Sequence, residues 1–292
     1  MRGRSRMNIK NLLTISQNLP PLDSELLLSF VLHQLREFVI THPEFEITKK
    51  QETKYKTLIK KRASGIPLAY LTGHKEFFGL YFLVDKSTLI PRPDTEILVE
   101  GVIENIKDQR LKIKDQRIVL IDVGTGTGCI PISILKYQSI QIPTLAIDKS
   151  KKALITARKN AKKHNVKIKF LQGNLLAPFL KSCLMIHFPC SIIITANLPY
   201  LTNQQYLSNP DLKHEPKTAL VAKNHGLFYY EQLLKQINDL RSSILGLQLT
   251  LFFEIDPSQS NQIKKLITHY LPQSKIEIKK DLAGRDRVVV IN

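Results

Sequence analysis

Apolar residues along this chain keep two different rhythms. In the first part they recur with helical spacing. The run opening Leu22-Asp23-Ser24-Glu25-Leu26-Leu27-Leu28 predicts an amphipathic helix to about Val39, with Asp23 or Ser24 as its N-cap. Ile47 to Arg62 predicts a second helix with a very basic outer face, and Ile9 to Ser16 a shorter one. Helices this short need a partner surface. Gly65-Ile66-Pro67 breaks the pattern. Phe77 to Val84 then alternates, is rich in aromatics and bends near Gly79, which predicts a β-hairpin over about Glu76 to Leu89. Pro91-Arg92-Pro93 ends it, and Asp94-Thr95-Glu96 opens a helix carried by Ile97, Leu98, Val102 and Ile103.

From Arg117 the rhythm becomes strand, turn, helix, strand. The strands fall at Ile118–Val123, Thr144–Asp148, Lys167–Gln172, Ile192–Ala196, Leu249–Ile255, Lys275–Lys279 and Val288–Ile291. Continuous apolar strands alternating with helices predict an α/β fold with a doubly wound, mainly parallel, seven-stranded sheet. Such sheets bind ligands at their carboxyl edge.

Composition narrows this picture without redirecting it. The 292 residues are 43% hydrophobic and 23% charged, which excludes a mainly disordered or fibrous chain. Lys and Arg number 43 against 25 Asp and Glu, a net +18. Such a field attracts polyanions such as a ribosome. A lysine-rich genome would paint the same surface, and the lysines read as scattered, so both explanations stand. Cys129, Cys183 and Cys190 form no CxxC pair and lie at no ligand spacing from His. They read as buried, reduced thiols of a cytoplasmic protein without structural zinc. The opening MRGRSR is basic but no continuous apolar segment follows it, so export is not expected, and Met7 is an alternative start. No run reads as a membrane span; Cys183 to Leu198 contains His187, Pro189 and Asn197 and reads as a strand.

Candidate chemistry clusters at strand ends. Val119-Leu-Ile-Asp-Val-Gly124-Thr-Gly126-Thr-Gly128 is a strand running into a glycine turn, spaced GxGxG and not GxGxxG or GxxxxGK. Asp148 ends the next strand, where a carboxylate can accept both hydroxyls of a ribose. Asp122 can hold the loop or meet a cofactor amino group. Together these fit S-adenosyl-L-methionine better than a dinucleotide. Asn174 and Leu175, after the third strand, can meet and cover an adenine; a plain turn is the other reading. After the fourth strand stands Asn197-Leu198-Pro199-Tyr200. A planar NH2 group is a poor nucleophile, and two acceptors can grip its hydrogens and aim the nitrogen. The Asn197 side-chain oxygen and the Leu198 main-chain carbonyl can be those acceptors, with Pro199 stiffening the loop and Tyr200 packing on the flat group. An Asx-turn ending a strand is the plainer alternative.

Several longer stretches form a pattern: Arg62-x-x-Gly65-x-Pro67-x-x-Tyr70-Leu-x-Gly73, Glu76-Phe77-x-Gly79, Leu89-Ile-Pro-Arg-Pro-Asp-Thr-Glu96, Glu215-Pro216-x-x-Ala219-Leu220, Glu254-Ile255 and Asp281-Leu-Ala-Gly-Arg-Asp-Arg-Val288. With the glycine loop and the Asn197–Tyr200 stretch, they make the chain resemble the glutamine-N5 methyltransferases of peptide chain release factors. The resemblance implies an N-terminal helical substrate-recognition domain over 1–73, a hairpin linker over 74–91 and a class I, Rossmann-like methyltransferase domain over 92–292. It implies methyl transfer from S-adenosyl-L-methionine, leaving S-adenosyl-L-homocysteine, to the glutamine of the Gly-Gly-Gln motif of class I release factors, with no metal. Gly124, Thr125, Gly126, Thr127, Gly128, Asp148, Asn174, Leu175 and Asn197 would bind the cofactor. Asn197, Leu198, Pro199 and Tyr200 would hold the glutamine, with Asn197, Pro199 and Tyr200 as the catalytic set. The expected enzyme is a cytoplasmic monomer, close to the ribosome in action, without membrane or nucleic-acid substrate.

Alternatives are a glutamine methyltransferase of a ribosomal protein, an N6-adenine methyltransferase sharing the clamp, and a non-enzymatic ribosome-binding protein. The chain departs from the family pattern in three places. Leu198 stands where Pro is usual, which predicts a looser loop. Asn174 stands where Asp is usual. Ala222-Lys-Asn-His225-Gly-Leu227 replaces a Gly-Gly-Asp-Gly-Leu stretch, with His225 read as a surface or N-cap residue.

Overall fold

The computed structural model describes residues 7–112, 117–138, 142–182, 190–244 and 247–292. MRGRSR and Cys183 lie outside them. Two segments fold around separate cores, Met1–His74 and Lys75–Asn292.

The first holds α1 (Ile9–Ile15), α2 (Pro21–Leu32), α3 (Arg36–Thr41), α4 (Lys49–Ala63) and α5 (Leu68–Thr72). Ile9, Leu12, Leu27, Leu28, Val31 and Tyr55 form its core. Thr48 caps α4 through a reciprocal bond with Gln51. The single helix expected to Val39 is two helices. Its start is Pro21, whose fixed φ and missing N–H suit the first helical position, so Asp23 and Ser24 lie inside the first turn and neither is the cap. Asp23 instead pairs with Arg62 Nε at 2.7 Å. His33 ends α2 with a left-handed φ of 55°.

The second segment begins with a two-stranded hairpin, β1 (His74–Phe77) and β2 (Leu80–Leu83). Phe78 and Gly79 both have positive φ, 52° and 71°, the backbone of a tight hairpin turn. Carboxylates hold that turn: Phe78 N–H donates to Glu96 Oε1 at 2.9 Å and Gly79 N–H to Glu76 Oε1 at 2.7 Å. The hairpin stops at Leu83, short of the expected Leu89, because Asn160 takes over the pairing. Its Oδ1 accepts from Leu83 N–H at 2.8 Å, and its Nδ2 donates to Leu83 O at 3.0 Å and Thr127 O at 2.9 Å.

There follow α6 (Glu96–Lys112), β3 (Arg117–Val123), α7 (Cys129–Gln138), β4 (Thr144–Asp148), α8 (Lys151–Lys163), β5 (Lys169–Gln172), α9 (Ala177–Ser182), β6 (Cys190–Ala196), α10 (Asn203–Leu207), α11 (Phe228–Ser243), β7 (Gln248–Glu254), α12 (Ser260–Tyr270), β8 (Ile276–Lys280) and β9 (Asp286–Ile291). β3 to β9 form one sheet in the order β5-β4-β3-β6-β7-β9-β8. Its pairs are parallel except β7–β9 and β8–β9. Alternate residues feed two cores. Leu120, Ile193, Phe252 and Val288 pack with α6, α7 and the hairpin residues Phe77 and Phe82. Ile121, Ile194, Phe253 and Val289 pack with α11 and α12 through Tyr230, Leu234, Ile263 and Ile267.

The positive charge is less scattered than it first reads. Between Lys149 and Lys169, eight Lys and Arg158 are all exposed, with no Asp or Glu among them. These nine cations, on α8, the edge strand β5 and the residues flanking them, equal half of the net +18.

Asn160 is fully buried and bonds to both the hairpin and the glycine loop. Asn160→Ala is expected to lower stability by about 2–4 kcal/mol, from three lost bonds and the groups left unpaired. Thermal or urea unfolding checks this; an unchanged midpoint would show that the tie is dispensable.

Candidate active site

The carboxyl ends of β3, β4, β5 and β6 surround a cavity of about 460 Å³. It gathers Gly124, Thr125, Gly126, Thr127, Asp148, Asn174, Leu175, Asn197, Leu198 and Pro199 from the expected set. Gly128 and Tyr200 do not line it. The backbone at Gly124 and Gly126 is left-handed, with φ of 76° and 54°. Gly124 is also constrained by space, since a Cβ there would lie 2.9 Å from Leu198 Cδ2. The glycine loop after β3 and the loop after β6 therefore touch. Gly128 immediately precedes α7 with a φ of 79°, and a Cβ there would press on Ile132 and Ala157.

Asp148 is already engaged by the main chain. Its Oδ2 accepts from Gly126 N–H at 2.9 Å and its Oδ1 from Ser150 N–H at 2.7 Å. Burial raises its pKa. Each carboxylate oxygen retains lone-pair capacity toward the cavity. Asp122, by contrast, is buried outside the cavity lining. Thr195 donates to its Oδ1 at 2.6 Å, so it ties β3 to β6 and does not face a ligand. Burial pushes Asp122 up to about 6. Its Oδ2 and the Thr125 hydroxyl are both buried, and the hydroxyl eases the carboxyl back down from the value that burial alone would give. Asn174 is exposed, and Leu175 is buried with φ of 50°. Cys129 is a free, buried thiol pushed up to about 12 by burial.

The Asn197 amide is locked by its nitrogen. Nδ2 donates to Glu254 Oε2 at 2.8 Å and to Thr95 Oγ1 at 3.0 Å. A carboxylate only accepts, so the nitrogen must face Glu254 and the oxygen must face away. No donor in the described residues reaches Asn197 Oδ1 or Leu198 O, which leaves two acceptors at the cavity. The Leu198 loop is not slack. Leu198 N–H donates to the Tyr230 hydroxyl at 3.2 Å, a bond that Pro could not make, and that hydroxyl donates to Glu254 O. Tyr200 turns its hydroxyl inward to Glu254 Oε1 at 3.3 Å. Gln259 Nε2 fixes the Tyr200 and His225 carbonyls at 2.9 Å each. His225 is an exposed loop residue, and α11 begins after Leu227, so it is not a cap.

Sequence reasoning quoted Glu254 and gave it no task. A carboxylate ending a buried strand, on the same edge as Asp148 and Asn197, was the available signal. The proline-flanked stretch before α6 braces the same network. Arg92 pairs with Glu215, Asp94 with Arg287 at 2.9 Å, and Thr95 with Asn197. Among the described residues no group of three His, Cys, Asp or Glu side chains is placed to hold a metal, and no helix is long and apolar enough to cross a membrane.

A seven-stranded sheet with this order, a glycine loop after β3 and an amide at the end of β6 define a class I methyltransferase. Residues 9–73 match the model for a PrmC N-terminal domain, and residues 114–197 match a methyltransferase domain. The chain belongs to the release factor glutamine methyltransferase family. It is 32% identical to the release factor glutamine methyltransferase of Bacillus anthracis, covering 91% of this chain and 90% of that one. It is 35% identical to that of Buchnera aphidicola, covering 93% and 91%. The N-terminal domain of human METTL16 shares the fold at 16% identity, with a TM-score of 0.52 over 90% of this chain and 92% of that one.

Burial pushes Glu254 up to about 7, opposed by Thr95, Arg287 and Tyr200 and reinforced by Asp94. Ionised, it can accept from Asn197 and Tyr200 together. Methyl transfer is therefore expected to fall as pH drops through about 7. For stability the sign reverses: a carboxyl raised above its unfolded value of 4.5 favours folding less as pH rises from there to about 7. Glu254→Ala is expected to lower kcat by about 100-fold through a misaimed amide, with cofactor affinity unchanged, and Glu254→Gln, neutral like the protonated carboxyl, to lower it less and to lose the pH dependence near 7. Equal loss in both variants, or a parallel loss of cofactor binding, would refute the positioning role.

Proposed function

We propose that this chain methylates the side-chain nitrogen N5 of the glutamine in the Gly-Gly-Gln motif of class I peptide chain release factors, using S-adenosyl-L-methionine, in support of translation termination. The observation that carries the proposal is the locked Asn197 amide beside the open Leu198 carbonyl. Two acceptors and no donor suit a group with two hydrogens on one planar nitrogen. The likeness to release factor glutamine methyltransferases supports a glutamine carboxamide over an adenine.

The cavity fits the cofactor. Gly124 and Gly126 bring main chain close, Asp148 keeps lone pairs for hydroxyls, and Leu175 supplies an apolar wall. S-adenosyl-L-methionine supplies an electrophilic methyl on sulfonium sulfur and leaves as S-adenosyl-L-homocysteine. Asn197 Oδ1 and Leu198 O hold the two amide hydrogens and aim the nitrogen, whose lone pair is otherwise delocalised. Pro199 restricts the loop. The nitrogen gains one methyl and sheds one proton, and a methylated amide nitrogen is acidic enough to lose it to water. The helical unit over 1–73 would recognise the folded substrate, the segment 74–91 would link, and 92–292 would carry the chemistry.

Asn197→Ala is expected to reduce transfer by about 100-fold or more while cofactor binding, read by calorimetry, changes little. Asp148→Ala is expected to weaken cofactor binding first; unchanged affinity would show that the carboxylate serves the loop alone. The decisive assay is transfer from labelled S-adenosyl-L-methionine to a purified class I release factor, with peptide mass spectrometry. One methyl on the Gly-Gly-Gln glutamine, absent from a Gln→Ala substrate, is the expected result. Label appearing only in a ribosomal protein or in nucleic acid would overturn the substrate.

A further inference from the structure

Leu282 stands out among the described residues: it is 109% exposed, more than any other large apolar side chain. It sits in the turn between β8 and β9, and Leu is a poor turn residue. The turn is nonetheless firmly built. Asp281 Oδ1 accepts from Ala283 N–H and Arg285 N–H, both at 2.9 Å. Its Oδ2 accepts from Arg285 Nε at 2.9 Å and from the Arg287 guanidinium at 3.2 Å. Asp281 N–H donates to Arg285 O and Gly284 N–H to Asp281 O, both at 2.8 Å, with Gly284 at a φ of 76°. Asp281 is itself buried. The polar groups named hold the turn's shape, and its large apolar side chain stands in water.

Topology fixes which edge of the sheet the turn occupies. β7 is parallel to β6, and Glu254 at its carboxyl end pairs with Val288 of the antiparallel β9. The β8–β9 turn therefore leaves the sheet on the same edge as Asn197 and the cavity. β7 and β9 lie one and two strands beyond β6, so the root of the turn is about 10 Å from the clamp strand. A folded protein partner covers about 800 Å² of each surface, a disc of roughly 16 Å radius. A protein whose glutamine occupies the clamp would thus reach the turn. The turn is also braced to the clamp, since Arg287 bridges Asp281 and Asp94, next to Thr95.

We propose that Leu282 is a docking anchor for the protein substrate, a pre-ordered apolar side chain that enters an apolar depression on the folded release factor beside its glutamine loop. This rests on the proposed function and adds to it a contact that a free glutamine or short peptide would not make. Because the turn is already ordered, binding spends little on fixing it.

The test uses the full chain with Leu282→Ala and Leu282→Asp and steady-state transfer from labelled S-adenosyl-L-methionine to an intact class I release factor. The expected result is a KM for the release factor raised about tenfold in the Ala variant and further in the Asp variant. kcat, cofactor affinity, melting temperature and sedimentation are expected to match the parent. A KM within twofold of the parent overturns the proposal. So does a fall in melting temperature in both variants, which would make Leu282 structural, or altered sedimentation, which would make it a self-contact. If the parent enzyme transfers no methyl to the release factor, the proposed function fails, and the anchor falls with it; normal parent activity with unaltered variants fails the anchor alone.

Discussion

The site depends on one carboxylate buried at the end of β7. Glu254 accepts the Asn197 amide and the Tyr200 hydroxyl, and its backbone carbonyl accepts from Tyr230, which in turn receives the Leu198 N–H. Four residues, three from the loop after β6 and one from α11, are thus oriented around a single residue. Burying a charge is costly unless its lone pairs are used. Here that cost is turned into orientation, because the Asn197 amide and the Tyr200 hydroxyl are among the donors that Glu254 holds.

The rest of the sheet edge transmits this order. Gly124 leaves just enough room for Leu198, so the glycine loop and the Asn197–Tyr200 loop share a wall. Thr195 on β6 holds Asp122 on β3, one layer below both loops. Arg287, Asp94 and Thr95 link the far side of the sheet to the same amide. Motifs far apart in sequence meet because parallel strands bring their carboxyl ends to one edge.

Much of this was legible in the sequence. All seven strands of the main sheet were, since buried strands make unbroken apolar runs with little competition from helical spacing. The glycine loop, Asp148 and Asn197 were legible as strand-end chemistry. What escaped depended on partners distant in sequence. The hairpin's end is set by Asn160, and no local signal near Leu83 carries that. The helix break at His33 is a left-handed residue without a glycine to announce it. Leu198 read as a loosened Pro because its N–H partner, Tyr230, lies thirty-two residues away. Tyr200 belongs to its motif yet turns its hydroxyl inward to Glu254, a matter of side-chain direction that spacing cannot reveal. The basic stretch over 149–169 is a property of sequence alone, and its even exposure on α8 and edge strand β5 also suits protection of a sheet edge from pairing.

The clamp of two open carbonyl oxygens has a consequence for turnover. On the proposed chemistry it counts hydrogens. A primary carboxamide satisfies both acceptors, but the methylated product has one N–H and must leave one carbonyl unpaired in a partly dry site. The same geometry that welcomes the substrate therefore disfavours the product, easing its departure and barring a second methyl; a dimethylated glutamine would contradict this.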